Sequence, residues 1–116
     1  MNKKSKVQLI EGDANVYQMG LSFDQVFQIV NENDIPIGLV YVSEIDDKHL
    51  YIEWIEILTV FRGRSYLRKT FEKLKEQFGK TIQFECSDEL LRKYIGIGCI
   101  ENDIDDCTEL HLLSYV

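Results

Sequence analysis

Between Ile55 and Phe78 the apolar residues of this chain change their spacing, from strand alternation to helical recurrence, across an Arg62-Gly63-Arg64 turn. After the turn, Tyr66, Thr70, Phe71, Leu74 and Phe78 recur on one helical face, with Arg68, Lys69, Glu72, Lys73, Lys75 and Glu76 facing out. A strand that feeds a helix through so short a turn aims the first N–H groups of that helix at one point. Those groups have no partner within the helix and the helix dipole is positive there, so the point favours an anion. With two guanidinium groups beside it, the turn is a candidate diphosphate cradle.

Upstream the pattern is β. Val7 to Glu11 is a short apolar run, and Gly12 to Ser22, broken by Gly12, Asn15 and Gly20, reads as a loop or one short helical turn. Asp24 to Glu32 alternates, with Val26, Gln28 and Val30 on one face and Phe27 and Ile29 on the other. Asn33-Asp34 turns the chain into a second strand, Ile35 to Ile45, whose Pro36 suits a strand start or an edge. Asp46-Asp47-Lys48 turns it again into a third, His49 to Leu58. Simple alternation puts Leu50, Ile52 and Trp54 on one face of that strand, and Tyr51, Glu53, Ile55 and Ile57 on the other. Three strands joined by short turns predict an antiparallel meander.

Downstream, Gly79 is a natural stop for the helix. Thr81 to Glu85 returns to the sheet as a strand, which makes a right-handed parallel crossover. Ser87 or Asp88 caps a second helix that runs to about Ile95 and is closed by Gly96 and Gly98. Cys99 to Asn102 and Thr108 to Val116 finish the chain as strands around the acidic turn Asp103 to Asp106.

A chain of 116 residues, 45% hydrophobic, makes a single domain, residues 1–116, with one core. Its net charge of -7 repels phosphate backbones and excludes nucleic acid as the expected partner. The same charge suits a cationic amine, and ordinary solubility explains it equally. Cys86, Cys99 and Cys107 show no close pair, and His49 and His111 stand alone, so no metal site and no disulfide framework is expected. No apolar run approaches a membrane span and Met1 to Lys6 is polar, so the expected location is cytoplasmic and no membrane partner is expected.

The order of elements, with the strand-turn-helix in its middle, resembles the GNAT superfamily of acetyl-CoA-dependent N-acetyltransferases over roughly Ile35 to Val116. Arg62-Gly63-Arg64-Ser65-Tyr66-Leu67 occupies the slot of that family's Arg/Gln-x-x-Gly-x-Gly/Ala turn. Tyr94-Ile95-Gly96-Ile97-Gly98-Cys99 looks like its Tyr-x-x-apolar-Gly-Phe segment, with Cys99 replacing the aromatic residue. Two departures fall in the turn: Ser65 stands where the family has its first Gly, and Leu67 where it has Gly or Ala. A third is that Gly12 to Phe23 is too short for the two helices usual there, so the acceptor side is reduced, open to completion by a second copy (a homodimer) or a partner.

The resemblance implies an α+β, GNAT-like fold: a mostly antiparallel sheet with helices packed on it and a splay between the fourth and fifth strands. It implies acetyl-CoA as co-substrate and an amine-bearing small molecule or protein as acceptor. Ile57, Leu58 and Thr59 would bond the pantetheine arm through backbone groups. Arg62, Gly63, Arg64, Ser65, Tyr66 and Leu67 would hold the diphosphate. Tyr94 would protonate the leaving thiolate, and Glu53 would serve as base or water relay. Each has a plainer reading: Tyr94 as core, Glu53 as a solvated strand carboxylate, the arginines as a solvated turn. The alternative function is a degenerate, non-catalytic GNAT-like domain used for protein binding or CoA sensing.

Overall fold

A computed structural model describes residues 6–13, 16–17 and 22–116. The strands are β1 (Val7–Glu11), β2 (Gln25–Asn31), β3 (Pro36–Glu44), β4 (His49–Ile57), β5 (Thr81–Cys86), β6 (Ile100–Ile104) and β7 (His111–Tyr115). The helices are α1 (Tyr66–Phe78), between β4 and β5, and α2 (Asp88–Ile97), between β5 and β6; a short 3-10 turn, Thr59–Phe61, leads out of β4. One sheet orders the strands β1-β2-β3-β4-β5-β7-β6, antiparallel throughout except for the β4–β5 pair. The expected architecture is therefore present, with β6 running two residues further into the acidic turn than the alternation suggested. Part of the Gly12 to Ser22 segment lies outside the described residues.

α1 forms because its apolar residues fall on one stripe. Tyr66, Thr70, Phe71 and Leu74 are buried on the sheet, and Gly79 ends the helix in the left-handed region at φ 64°, its N–H on the Lys75 carbonyl at 2.8 Å. The core lies between this stripe and the sheet face carrying Phe27, Ile29, Val40, Val42, Leu50, Ile52, Ile82 and Phe84. Phe71 is its hub, fully buried with ring centroids 5.4 Å from both Phe84 and Tyr115. The other sheet face is also closed in places, where Val26 and Tyr41 are buried and the Tyr41 ring meets Phe23 edge-on at 4.8 Å.

Two register slips decide which side chains face which way. In the β3–β4 pair, Val42 lies opposite Ile52 but Tyr41 lies opposite Trp54, so Glu53 is an extra residue. The bulge inverts the parity of everything after it. Leu50 and Ile52 face the helices, and beyond the bulge so do Ile55 and Ile57. Trp54 is 43% exposed on the opposite face. This corrects the simple alternation: Glu53 does not share a face with Ile55 and Ile57, but lies with Tyr51 and Trp54. A second slip, in the β2–β3 pair, places Ile29 opposite Gly38 and Val30 opposite Pro36.

Gly38 is required by this packing. A Cβ there would stand 2.0 Å from the Glu56 carbonyl oxygen, a backbone atom that cannot yield without moving β4. Gly38→Ala is expected to destabilise the fold by about 3 kcal/mol, the upper range of overpacking. Urea unfolding checks this: a midpoint within error of the parent's would mean β3 and β4 separate more readily than their contacts imply.

Candidate functional site

The parallel β4–β5 pair is short. His49, Leu50 and Tyr51 register with Thr81, Ile82 and Gln83, and there the pairing ends, although β4 continues to Ile57 and β5 to Cys86. Past that level β4 is held only by β3, and β5 only by β7. A wedge therefore opens between the two central strands on the side of their C-terminal ends.

The backbone groups facing the wedge follow from strand geometry. The Leu58 N–H is bonded to the Ile37 carbonyl at 2.7 Å, toward β3. Alternation then turns the N–H and C=O of residues 57 and 55 away from β3, toward the gap. The Ile57 carbonyl is already engaged, accepting from Arg62 Nε at 2.8 Å. The Leu58 and Thr59 carbonyls accept from the N–H groups of Phe61 and Arg62. Of the three residues expected to line the gap through their backbone, Leu58 and Thr59 thus turn their groups elsewhere. The free groups are the Ile57 N–H and both groups of Ile55.

The turn after β4 is built by two left-handed residues, Gly63 at φ 78° and Ser65 at φ 67°. The second stands where the resembling family places glycine, and the conformation explains the family's preference: a non-glycine residue carries about 1–2 kcal/mol of strain there. Ser65 precedes α1 without making a side-chain cap, and no acidic residue occupies the first turn. Among the described residues, the N–H groups of Gly63 through Arg68 donate no backbone bond, and the first that does is Lys69, to the Ser65 carbonyl at 3.0 Å. An uncapped helix start with no carboxylate in its own first turn leaves its N–H groups available.

A pocket of about 270 Å³ opens at this point, lined by Ile57, Phe61, Arg62, Gly63, Ser65, Tyr66, Leu67, Arg68, Lys93 and Ile97. Leu67 is half-buried against the core and forms part of the wall without filling the space. Leu58, Thr59 and Arg64 do not line it. Arg68, Lys93 and Ile97 were not singled out from the sequence, although spacing holds the signal: Arg68 follows Arg64 by one helical turn, and Lys93 adjoins Tyr94. Arg68 also ties the helices together, Nη2 donating to the Gly96 carbonyl at 3.2 Å. Every arginine of this acidic chain sits on the turn, on the first turn of α1 or, as Arg92, beside Lys93.

The two candidate catalytic side chains lie on opposite faces of the sheet. Tyr94, on the helix side, is 8% exposed, its ring 4.7 Å from Phe84, the first β5 residue beyond the paired stretch. Burial, then the nearby thiols of Cys86 and Cys99, push its phenol above the ordinary value, so it is protonated at neutral pH. Glu53, on the outer side, accepts from Ser43 Oγ at 2.9 Å. Beside it the Tyr51 hydroxyl donates to Glu85 at 3.0 Å, a side-chain link between β4 and β5 at the level where their backbones part.

α2 is pinned at its start. The ring of His111, on β7, hydrogen-bonds Asp88 of α2 through Nε2 and Glu101 of β6 through Nδ1. The bond to Asp88, then that to Glu101, raise the His111 pKa. Ser87, the residue before α2, makes no side-chain cap, so this clasp is what fixes the helix end. Among the described residues no group of side chains is arranged to hold a metal ion, and no helix is long and apolar enough to cross a membrane.

No protein-family model matches the chain, and no curated protein does. Solved structures do. The nourseothricin acetyltransferase structure is 18% identical with a TM-score of 0.64, over 78% of this chain and 63% of that one. A GNAT-family acetyltransferase from Listeria monocytogenes is 19% identical with a TM-score of 0.59, over 78% and 63%. A chimera of the spermidine N-acetyltransferase SpeG from Vibrio cholerae and hSSAT is 11% identical with a TM-score of 0.68, over 96% and 95%. The chain thus spans less than two thirds of the first two. At these identities the likeness establishes the fold: a mixed seven-stranded sheet with two helices, the GNAT acyl-CoA N-acyltransferase fold.

The His111 clasp carries a pH dependence of definite sign. An imidazole has a pKa of about 6.5 when unfolded. Since its folded value is higher, its contribution is full below the unfolded value and is lost as pH rises through the folded one. Thermal midpoints measured from about pH 6 to about pH 9 should fall more steeply for the parent than for His111→Gln. Parallel curves would mean the clasp does not titrate as described.

Proposed function

We propose that this chain, with its GNAT fold, is a cytoplasmic N-acetyltransferase that moves acetyl from acetyl-CoA to a primary amine by direct attack. The observation that carries the reading is the coincidence of two features at one place. A wedge exposes strand backbone, and directly beyond it lies an uncapped helix start with no acidic residue in its first turn and a cationic pocket wall. The first suits an extended amide-bearing arm and the second a diphosphate. In a chain of net charge -7, cations gathered there favour an anionic ligand.

On this reading the Ile55 groups and the Ile57 N–H align the pantetheine arm. The N–H groups of Gly63 through Arg68, with Arg62, Arg68 and Lys93, hold the diphosphate. Arg64 lies outside the pocket wall and adds charge at longer range. The amine arrives from the outer face, its lone pair forming the C–N bond at the thioester carbonyl carbon. The C–S bond breaks, and the Tyr94 phenol gives its proton to the departing sulfur. Glu53, steadied by Ser43, receives the proton lost by the amine, directly or through water. The acceptor is a small molecule or a protein side chain bearing the amine.

A second reading, CoA sensing without transfer, has one observation in its favour. The Ile57 carbonyl, a natural acceptor for the arm, is already taken by Arg62.

CoA at a hundredfold excess over its Kd is expected to stabilise the protein by about 2.7 kcal/mol, read as a rise in melting temperature. No rise at millimolar CoA would end both readings. Tyr94→Phe is expected to lower kcat by about a hundredfold or more with CoA affinity kept; binding without turnover on an amine panel would select the sensor. Gly63→Ala, where a Cβ meets nothing within 4 Å, is expected to cost about 1 kcal/mol of stability through its left-handed φ alone. Calorimetry should nevertheless find its CoA affinity reduced at least tenfold, because the added methyl occupies the space of the ligand.

A further inference from the structure

The β2–β3 turn takes no part in the reaction outlined above, yet it grips the first residue of α1. We infer that Glu32 is a positioning residue for the anion cradle, acting through the hydroxyl of Tyr66; the inference rests on the cradle being the diphosphate site.

Tyr66 is 5% exposed, and its hydroxyl donates to Glu32 at 2.9 Å from Oε1 and 2.6 Å from Oε2, across 34 residues of sequence. Asn31, buried, is itself fixed by the turn. Its Oδ1 accepts from the N–H groups of Asn33 at 2.9 Å and Ile35 at 3.0 Å. The turn is therefore braced from within by Asn31, and the carboxylate of the next residue, Glu32, accepts from the phenol. Glu32, ahead of burial, raises the Tyr66 pKa, so the hydroxyl remains a donor at neutral pH.

The helix start needs such an outside anchor. The residue before it, Ser65, caps nothing, and the first turn contributes no side-chain bond of its own to hold N–H groups 66 to 68. Helix ends fray when uncapped, and a binding site made of frayed amides must order them on each binding event. Tyr66 supplies the first of those amides. The edge-on contact of its ring with Phe61, at 6.3 Å, ties the 3-10 turn to the same anchor. Holding the phenol against the β2–β3 turn fixes the approach of both sides of the pocket wall.

The test compares Glu32→Ala, Tyr66→Phe and Glu32→Gln with the parent by calorimetry with CoA and by amide hydrogen exchange without ligand. The exchange readout is the Lys69 amide, the first hydrogen-bonded one of α1. Glu32→Ala and Tyr66→Phe should each weaken CoA about tenfold and speed Lys69 exchange by a similar factor. Glu32→Gln, whose amide oxygen still accepts from the phenol, should keep both near the parent's values, which a loss of the turn's fold would not allow. Unchanged affinity in Glu32→Ala and Tyr66→Phe overturns the inference, whatever the exchange does. Should the parent itself fail to bind CoA, the acyl-CoA reading falls. The Lys69 exchange then decides alone whether Glu32 anchors the helix start, and an unchanged rate overturns it.

Discussion

The arrangement depends on the point where two parallel strands cease to pair. β4 and β5 share three register positions and then diverge, each staying with the neighbour on its other edge, β4 with β3 and β5 with β7. The extra residue at Glu53 reinforces this, since a bulge bends its strand and sharpens its twist. Pairing that continued to Ile57 would consume the backbone groups of Ile55 and Ile57 and leave no wedge. The sheet gives up a few ladder bonds at its centre, and the stability lost there is offset by the core on the helix side. Phe71, Phe84, Tyr94 and Tyr115 stack into one aromatic cluster across α1, β5, α2 and β7. That cluster clamps β5 at Phe84, the level where the opening begins.

The elements around the wedge are then held from three directions. Arg62 ties the turn back to the end of β4, Arg68 ties α1 to the end of α2, and His111 ties the start of α2 to β7 and β6. Charges otherwise spread over an acidic surface are placed here as structural donors to carbonyl oxygens. A guanidinium bonded to a carbonyl through one nitrogen keeps further N–H groups, so these contacts do not spend its capacity for an anion. The same residue can brace the wall and line the pocket.

Element order and helix faces were legible in the sequence because hydrophobic period and turn residues mark them directly. Gly79 and Gly98 end their helices as expected, and the α1 stripe is the one read from spacing. Side-chain direction in β4 was not legible beyond Ile52. A bulge adds a residue without any compositional mark, and parity counted along the strand then assigns Trp54, Ile55 and Ile57 to the wrong faces. Hydrogen-bond direction was hidden for the same reason. Whether the Leu58 N–H faces β3 or the gap depends on pairing, which a single strand's residues do not encode. The pocket wall contributed by α2 was missed because Lys93 belongs to a helix whose position over the turn is a tertiary fact.

The departures from the GNAT pattern, Ser65 and Leu67, bear differently on the site. The glycine position requires a left-handed backbone, and Ser65 supplies it at φ 67° with its side chain exposed, so the geometry survives and the cost is conformational. Leu67 fills a position where the pattern calls for a small residue, but the first turn of a helix points such a side chain back along its own axis. Here that direction leads onto the core, where Leu67 packs half-buried and borders the pocket from the side. Among the described residues, the amides of the turn, Gly63 through Arg68, donate no backbone bond. Small residues at these positions are thus one way to leave room for an anion. A serine that accepts the left-handed conformation, followed by a leucine that turns inward, is another, and it keeps the cradle open while adding apolar contact to the helix that forms it.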